Sequence, residues 1–151
     1  MKLASFLFVS FLTVAVICGC GGEPELQSIS GKVTLGGESY ERIIVYFRPV
    51  KGQVNKFNMG VGETDANGTL GLRTTAGAGI APGNYRVSFS YAVIKGQQES
   101  IPSDEKVDEQ PGVEIEELVP DIYTSNENTP VEFLVESGKE NIFEFDIPTK
   151  N

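Results

Sequence analysis

The chain has 151 residues with 12 Lys plus Arg against 21 Asp plus Glu, a net charge of −9, and no His. The acidity excludes nucleic acid as a partner, because phosphate recognition needs clustered bases that this chain lacks. Without His, every Ser–His or Cys–His nucleophile pair, every His-based metal site and the usual near-neutral proton shuttle are excluded too.

The chain opens on Lys2 and an apolar run from Leu3 to Ile17. At about 15 residues this run suits the core of an export signal and is short of the roughly 20 residues that span a bilayer. Ile17-Cys18-Gly19-Cys20 follows and resembles a lipobox, with an aliphatic residue three places before the modified Cys and a small one immediately before it. Cys20 fits better than Cys18, which would put bulky Ile17 at the cleavage position. The alternatives are a plain signal peptide or a Cys18–Cys20 disulfide, which a single intervening residue would strain. The resemblance implies cleavage after Gly19, a diacylglycerol on the Cys20 sulfur and commonly an amide-linked acyl chain such as palmitate. One long chain contributes on the order of 10 kcal/mol of membrane binding, at about 0.8 kcal/mol per buried methylene. The expected organisation is a signal over 1–19, a lipidated tether over 20–27 and one domain over 28–148. The 132 residues left after cleavage suffice for a single core.

Within the domain the dominant pattern is alternation of period two, interrupted by turns among 17 Gly and 8 Pro, which points to short strands. Ser28–Leu35 places Ile29, Gly31, Val33 and Leu35 on one face, and Gly36-Gly37 turns the chain. Arg42–Arg48 alternates Ile43, Val45 and Phe47 with Ile44 and Tyr46. Asn58–Thr64 is a weaker strand whose apolar residues are Met59 and Val61. It is joined to Thr69–Thr74, with Leu70 and Leu72, by the Asp65-Ala66-Asn67-Gly68 turn, where Asp65 accepts backbone N–H groups and Gly68 takes positive φ. After the Pro82-Gly83-Asn84 turn, Tyr85–Val93 shows the clearest alternation and is expected at the sheet centre.

Lys95 to Asn128 carries ten acids and two bases, and reads as a long acidic excursion in which Val113–Val119 is either a strand or a helical turn. Pro130–Glu136 and Asn141–Ile147 resume the alternation with Val131, Phe133, Val135, Phe143, Phe145 and Ile147. The expected fold is all-β: about seven strands in an antiparallel sandwich, transthyretin-like or immunoglobulin-like, with a long acidic loop.

The blocks SGKVTLGGESYERIIVYFRP (30–49), GETDANGTLGLRT (62–74) and APGNYRVSFS (81–90), in that order, resemble the carboxypeptidase regulatory-like domain of the transthyretin-like (prealbumin-like) class. Leu118–Ile147, with Pro120, Tyr123 and Thr129-Pro130, is similar to the tail of small transthyretin-like lipoproteins abundant in planctomycete-type bacteria. The resemblance implies a noncatalytic docking, folding or display module with no cofactor. The His-dependent hydrolase branch of that fold is not carried over.

Candidate sites are few. Asp65-x-Asn67-Gly68 begins like a calcium loop, but position 12 of an EF-hand pattern falls on Ala76 instead of Glu. Asp104, Glu105, Asp108 and Glu109 are weak calcium candidates within a solvated acidic stretch. Glu114, Glu116 and Glu117 could supply a carboxylate pair, though no cleft is evident around them. Tyr85 is expected to bury its ring and hydrogen-bond a nearby loop, and Tyr123 to pin the returning segment to the sheet. The functional expectation is a membrane-anchored bacterial envelope lipoprotein that docks a protein partner or has a structural role, with no small-molecule substrate. Gly21 after the lipid site leans toward the outer membrane. The alternative is a carbohydrate- or calcium-binding surface module.

Overall fold

The computed structural model describes residues 22–96 and 112–150. Its strands are β1 (Ile29–Leu35), β2 (Ile44–Pro49), β3 (Gly60–Thr64), β4 (Leu70–Thr74), β5 (Gly77–Ala78), β6 (Gly83–Ser90), β7 (Ala92–Ile94), β8 (Ile115–Glu117), β9 (Glu132–Val135) and β10 (Asn141–Ile147), with one helical turn, α1 (Asp121–Thr124). The chain is all-β. Six strands form an antiparallel sheet in the order β5-β4-β3-β2-β6-β9, β1 pairs with β10 in a second layer, and β7 and β8 form a separate ribbon.

The alternation in the sequence sets what is buried between the layers. Cross-strand pairs Val45↔Phe89 and Phe47↔Val87 place four fully buried side chains at the middle of the six-stranded sheet. Val33, Phe143 and Ile147 close over them from the β1–β10 layer. Phe47 is a hub, with ring centroids 6.3 Å from Tyr85, 6.1 Å from Phe133 and 5.3 Å from Phe143, all edge-on, the arrangement that aromatic quadrupoles favour.

Four expectations are corrected. The β1–β10 layer is parallel, from Ile29↔Asn141 to Leu35↔Ile147, in an otherwise antiparallel fold. Alternation fixes which face a strand buries, not the direction of its neighbour. The approach there is close, since a Cβ on Gly31 (φ 144°) would lie 1.8 Å from the Phe143 carbonyl oxygen. Second, the strand expected over Asn58–Thr64 starts at Gly60 and buries Gly60, Gly62 and Thr64, while Val61 is exposed. The glycines make room for neighbours: a Cβ would come 2.9 Å from Ile80 Cδ1 at Gly60 and 2.6 Å from Leu70 Cδ1 at Gly62.

Third, β6 is interior but one place from the edge, and its run is interrupted at Tyr91 before β7. The chain just ahead of β1 is also held. Gln27 is buried and exchanges backbone hydrogen bonds with Ile80 at 2.8 and 3.0 Å. Its Oε1 also accepts the Gly138 N–H at 3.0 Å. Fourth, the strand expected over Arg42–Arg48 begins two residues late, because Arg42 sits at φ 69°. Of the undecided stretch Val113–Val119, the central part is strand β8, and the helical turn comes only after Pro120.

Ahead of β9, the chain continues along the edge of β6. The Thr129 hydroxyl donates to the Val87 carbonyl at 2.7 Å, the Val87 N–H to the Val131 carbonyl at 2.9 Å, and the Ser88 hydroxyl to Asn126 Oδ1 at 2.7 Å. The segment after β8 is thereby stitched along the sheet, and Val119 is fully buried.

Candidate functional site

An open, partly apolar feature lies between the two layers on the β9–β10 side. It is a hollow of about 400 Å³ lined by Tyr123, Pro130 to Phe133 and Ile142 to Phe145. Among the described residues β9 pairs only with β6, and β10 only with β1, so each turns its other edge toward this side. Leu134 and Ile142 stand 59 % and 50 % exposed on those strands. Beneath them Phe133 and Phe143 meet edge-on at 5.2 Å, and Tyr123 packs 5.9 Å from Phe145. The floor is therefore continuous with the core, held rigid by the same aromatic contacts.

Acids border the hollow. Glu132 is shared between Asn84 Nδ2 at 3.1 Å and Arg86 Nε at 3.9 Å, and Glu144 lines the opposite wall. The near-parallel rings nearby, Phe89–Phe145 at 8° and Phe143–Phe145 at 18°, involve buried Phe89 and Phe143. They pack the core and do not form an outward platform of the kind sugars stack on.

The residues singled out from sequence are dispersed. Asp65 Oδ1 accepts the N–H groups of Asn67 at 2.8 Å and Thr69 at 2.9 Å, and Gly68 turns at φ 78°. Those two backbone donors hold the Asp65 carboxyl below its ordinary pKa, as hydrogen bonds to the charged form do. One oxygen is thus committed to closing the β3–β4 hairpin. Tyr85 is buried, and its hydroxyl donates to the Ala81 carbonyl at 2.6 Å. Burial pushes its pKa up to about 12. Pro82 and Gly83 line a smaller hollow of about 180 Å³ beside it, together with Pro24, Lys51 and Phe57. Tyr123, on α1, rests against the β10 layer.

Glu114, Glu116 and Glu117 are not gathered into one site. Glu114 is ion-paired to Lys95 at 2.6 Å. Glu117 spends both oxygens on structure: Oε1 accepts Tyr91 N–H at 2.9 Å and Val119 N–H at 2.8 Å, and Oε2 accepts the Ser90 hydroxyl at 2.6 Å. Among the described residues no group of three or more Asp, Glu, Cys or His is placed to hold a metal ion. Cys20 and the calcium candidates Asp104, Glu105, Asp108 and Glu109 lie outside the described residues.

Comparison of the chain with protein-family models, curated proteins and solved structures gave no match. Nothing in them identifies a carboxypeptidase regulatory-like domain. Among the described residues no helix is long and apolar enough to cross a membrane.

Sequence reasoning placed Phe133, Phe143 and Phe145 inward but missed the hollow. Alternation marks a face as apolar without telling whether another strand covers its edge. Glu117 was also missed as a clamp, since its partners Ser90 and Tyr91 lie 26 or more residues away.

Proposed function

We propose that this chain is an exported bacterial lipoprotein, anchored through acyl chains on Cys20, whose noncatalytic β-sandwich docks a protein partner in the cell envelope. The observation that carries the docking reading is the open β9–β10 side. Two strand edges, unpaired among the described residues, flank an aromatic floor there, the setting in which an extended segment can add as a strand and drop alternate side chains into the hollow. Glu132 and Glu144 on its walls favour a partner strand that carries Lys or Arg among apolar residues, and disfavour a second copy of this acidic face. The lipobox at Ile17–Cys20 supports the anchor, and the block order shared with carboxypeptidase regulatory-like domains supports a noncatalytic module.

A photo-crosslinking residue at Leu134 or Ile142 in membranes of the native host tests the docking reading. The expected result is one discrete protein adduct from both positions, reduced by the double substitution Glu132→Gln, Glu144→Gln, and none from the same probe at Val61 on the outer face of β3. Equal, diffuse adducts from all three positions would overturn it.

A further inference from the structure

The topology sends the two ends of the sandwich in opposite directions. β2 runs toward the loop at 50–59 and β3 returns from it. That end also holds Gln27 against Ile80, the turn at 136–140, and Pro24 in the small hollow with Lys51 and Phe57. At the other end lie the Gly36-Gly37 turn, the Asp65 hairpin and, past Ser90, the β7–β8 ribbon.

Cys20 precedes Gln27 by seven residues, a reach of about 25 Å fully extended. Glu23 is already paired with Lys56, Oε1 to Nζ at 2.7 Å, and three residues span only about 10 Å. The charge is distributed in the same sense. Residues 48–62 hold Arg48, Lys51 and Lys56 and no acid, whereas residues 112–119, which include β8, hold Glu114, Glu116 and Glu117 and no base. Two acids at the tether end, Glu23 and Glu136, are paired with Lys56 and Lys139. Glu25 and Glu140 offset Arg48 and Lys51, leaving that end near neutral, whereas Glu38, Glu63, Asp65, Glu114, Glu116 and Glu117 outnumber the bases at the other. Val54 is 48 % exposed at the tip of the loop, and Lys56 lies over the Phe57 ring at 4.6 Å.

We infer that the 50–59 loop is the bilayer-facing surface of the domain, resting in the phospholipid headgroup layer through Lys51, Val54 and Lys56, with the β7–β8 ribbon pointing away. This rests on the lipoprotein reading and adds an orientation to it. The short tether confines the domain near the surface, and an anionic leaflet attracts Lys near it while repelling acids within about a Debye length. Charge here orients an anchored domain; acyl chains hold it.

With Cys18 removed in the signal and Cys20 acylated, a single introduced Cys is the one free thiol. Lipidated protein carrying Val54→Cys or Glu38→Cys, each bearing a thiol-linked fluorophore, is reconstituted into phosphatidylcholine–phosphatidylglycerol vesicles containing headgroup spin-labelled lipid. The Val54 probe should be quenched severalfold more than the Glu38 probe. The substitutions Lys51→Glu and Lys56→Glu should narrow that difference without changing flotation with the vesicles. Equal quenching, or stronger quenching at Glu38, in a protein that floats would overturn the orientation and leave the anchor standing. Full-length mature protein that does not float would overturn the anchor and the orientation with it.

Discussion

Glu117 accepts the backbone N–H of Tyr91 across the β7–β8 ribbon at 2.9 Å, at the point where β6 gives way to β7. The same carboxylate holds Val119 N–H and the Ser90 hydroxyl, so one side chain fixes the base of the acidic excursion to the sandwich. Glu117→Ala leaves these donors without that acceptor in a partly buried site, a loss of about 2–4 kcal/mol. Glu117→Gln, which keeps one acceptor oxygen, should lose less. Urea midpoints at constant m-value measure both; equal midpoints for Ala and wild type would show the clamp to be idle.

Gly31 tests the parallel layer. Its missing Cβ is what lets β1 approach the Phe143 carbonyl, so Gly31→Ala should force the strands apart and cost more than about 2 kcal/mol, from strain at positive φ and lost pairing. Gly71→Ala, on the outer face of β4 with nothing within 4 Å of the added carbon, is the matched control and should be neutral within about 0.5 kcal/mol. Thermal unfolding of the two proteins side by side decides it.

Tyr85 links burial to alkaline stability. Its folded pKa, about 12, lies above the ordinary value of 10.0. The protonated hydroxyl therefore contributes stability that is complete below pH 10 and lost as pH rises through 12, at up to about 1.4 kcal/mol per pH unit. Tyr85→Phe should lose about 1 kcal/mol at neutral pH, from the bond to Ala81, and show a shallower fall between pH 10 and 12. Parallel slopes for the two proteins would contradict this.

Asp65 has the opposite sign. Its carboxyl is held below the ordinary value of 3.8 by the Thr69 and Asn67 N–H groups. That contribution is present above pH 3.8 and lost as pH falls through the lower folded pKa. Asp65→Ala should lower the melting temperature at pH 7 and lose the part of the acid-limb slope due to this group. Identical melting temperatures at pH 7 would show that the turn closes without it.

What was legible in the sequence is what is local or periodic. Tyr85, Val87, Phe89, Tyr91 and Val93 are all buried, because a period-two pattern directly encodes a face. The Asp65 turn is readable because its donors lie within four residues. The parallel partnership of β1 and β10 was not readable, since it joins residues 112 apart, as in Ile29↔Asn141. Nor was the inner face of β3, where glycines bury nothing of their own and make space for Leu70 and Ile80. The open β9–β10 side was hidden for a related reason: the same apolar alternation marks a covered strand and an uncovered one.

Whether acyl chains on Cys20 tether this sandwich to a bilayer is decided by intact-mass spectrometry of the protein extracted from native membranes. The predicted result is a chain beginning at Cys20 whose N-terminal peptide carries the added mass of a diacylglycerol. A protein that retains Met1 to Gly19, or one that begins at Cys20 with a bare thiol, would contradict it.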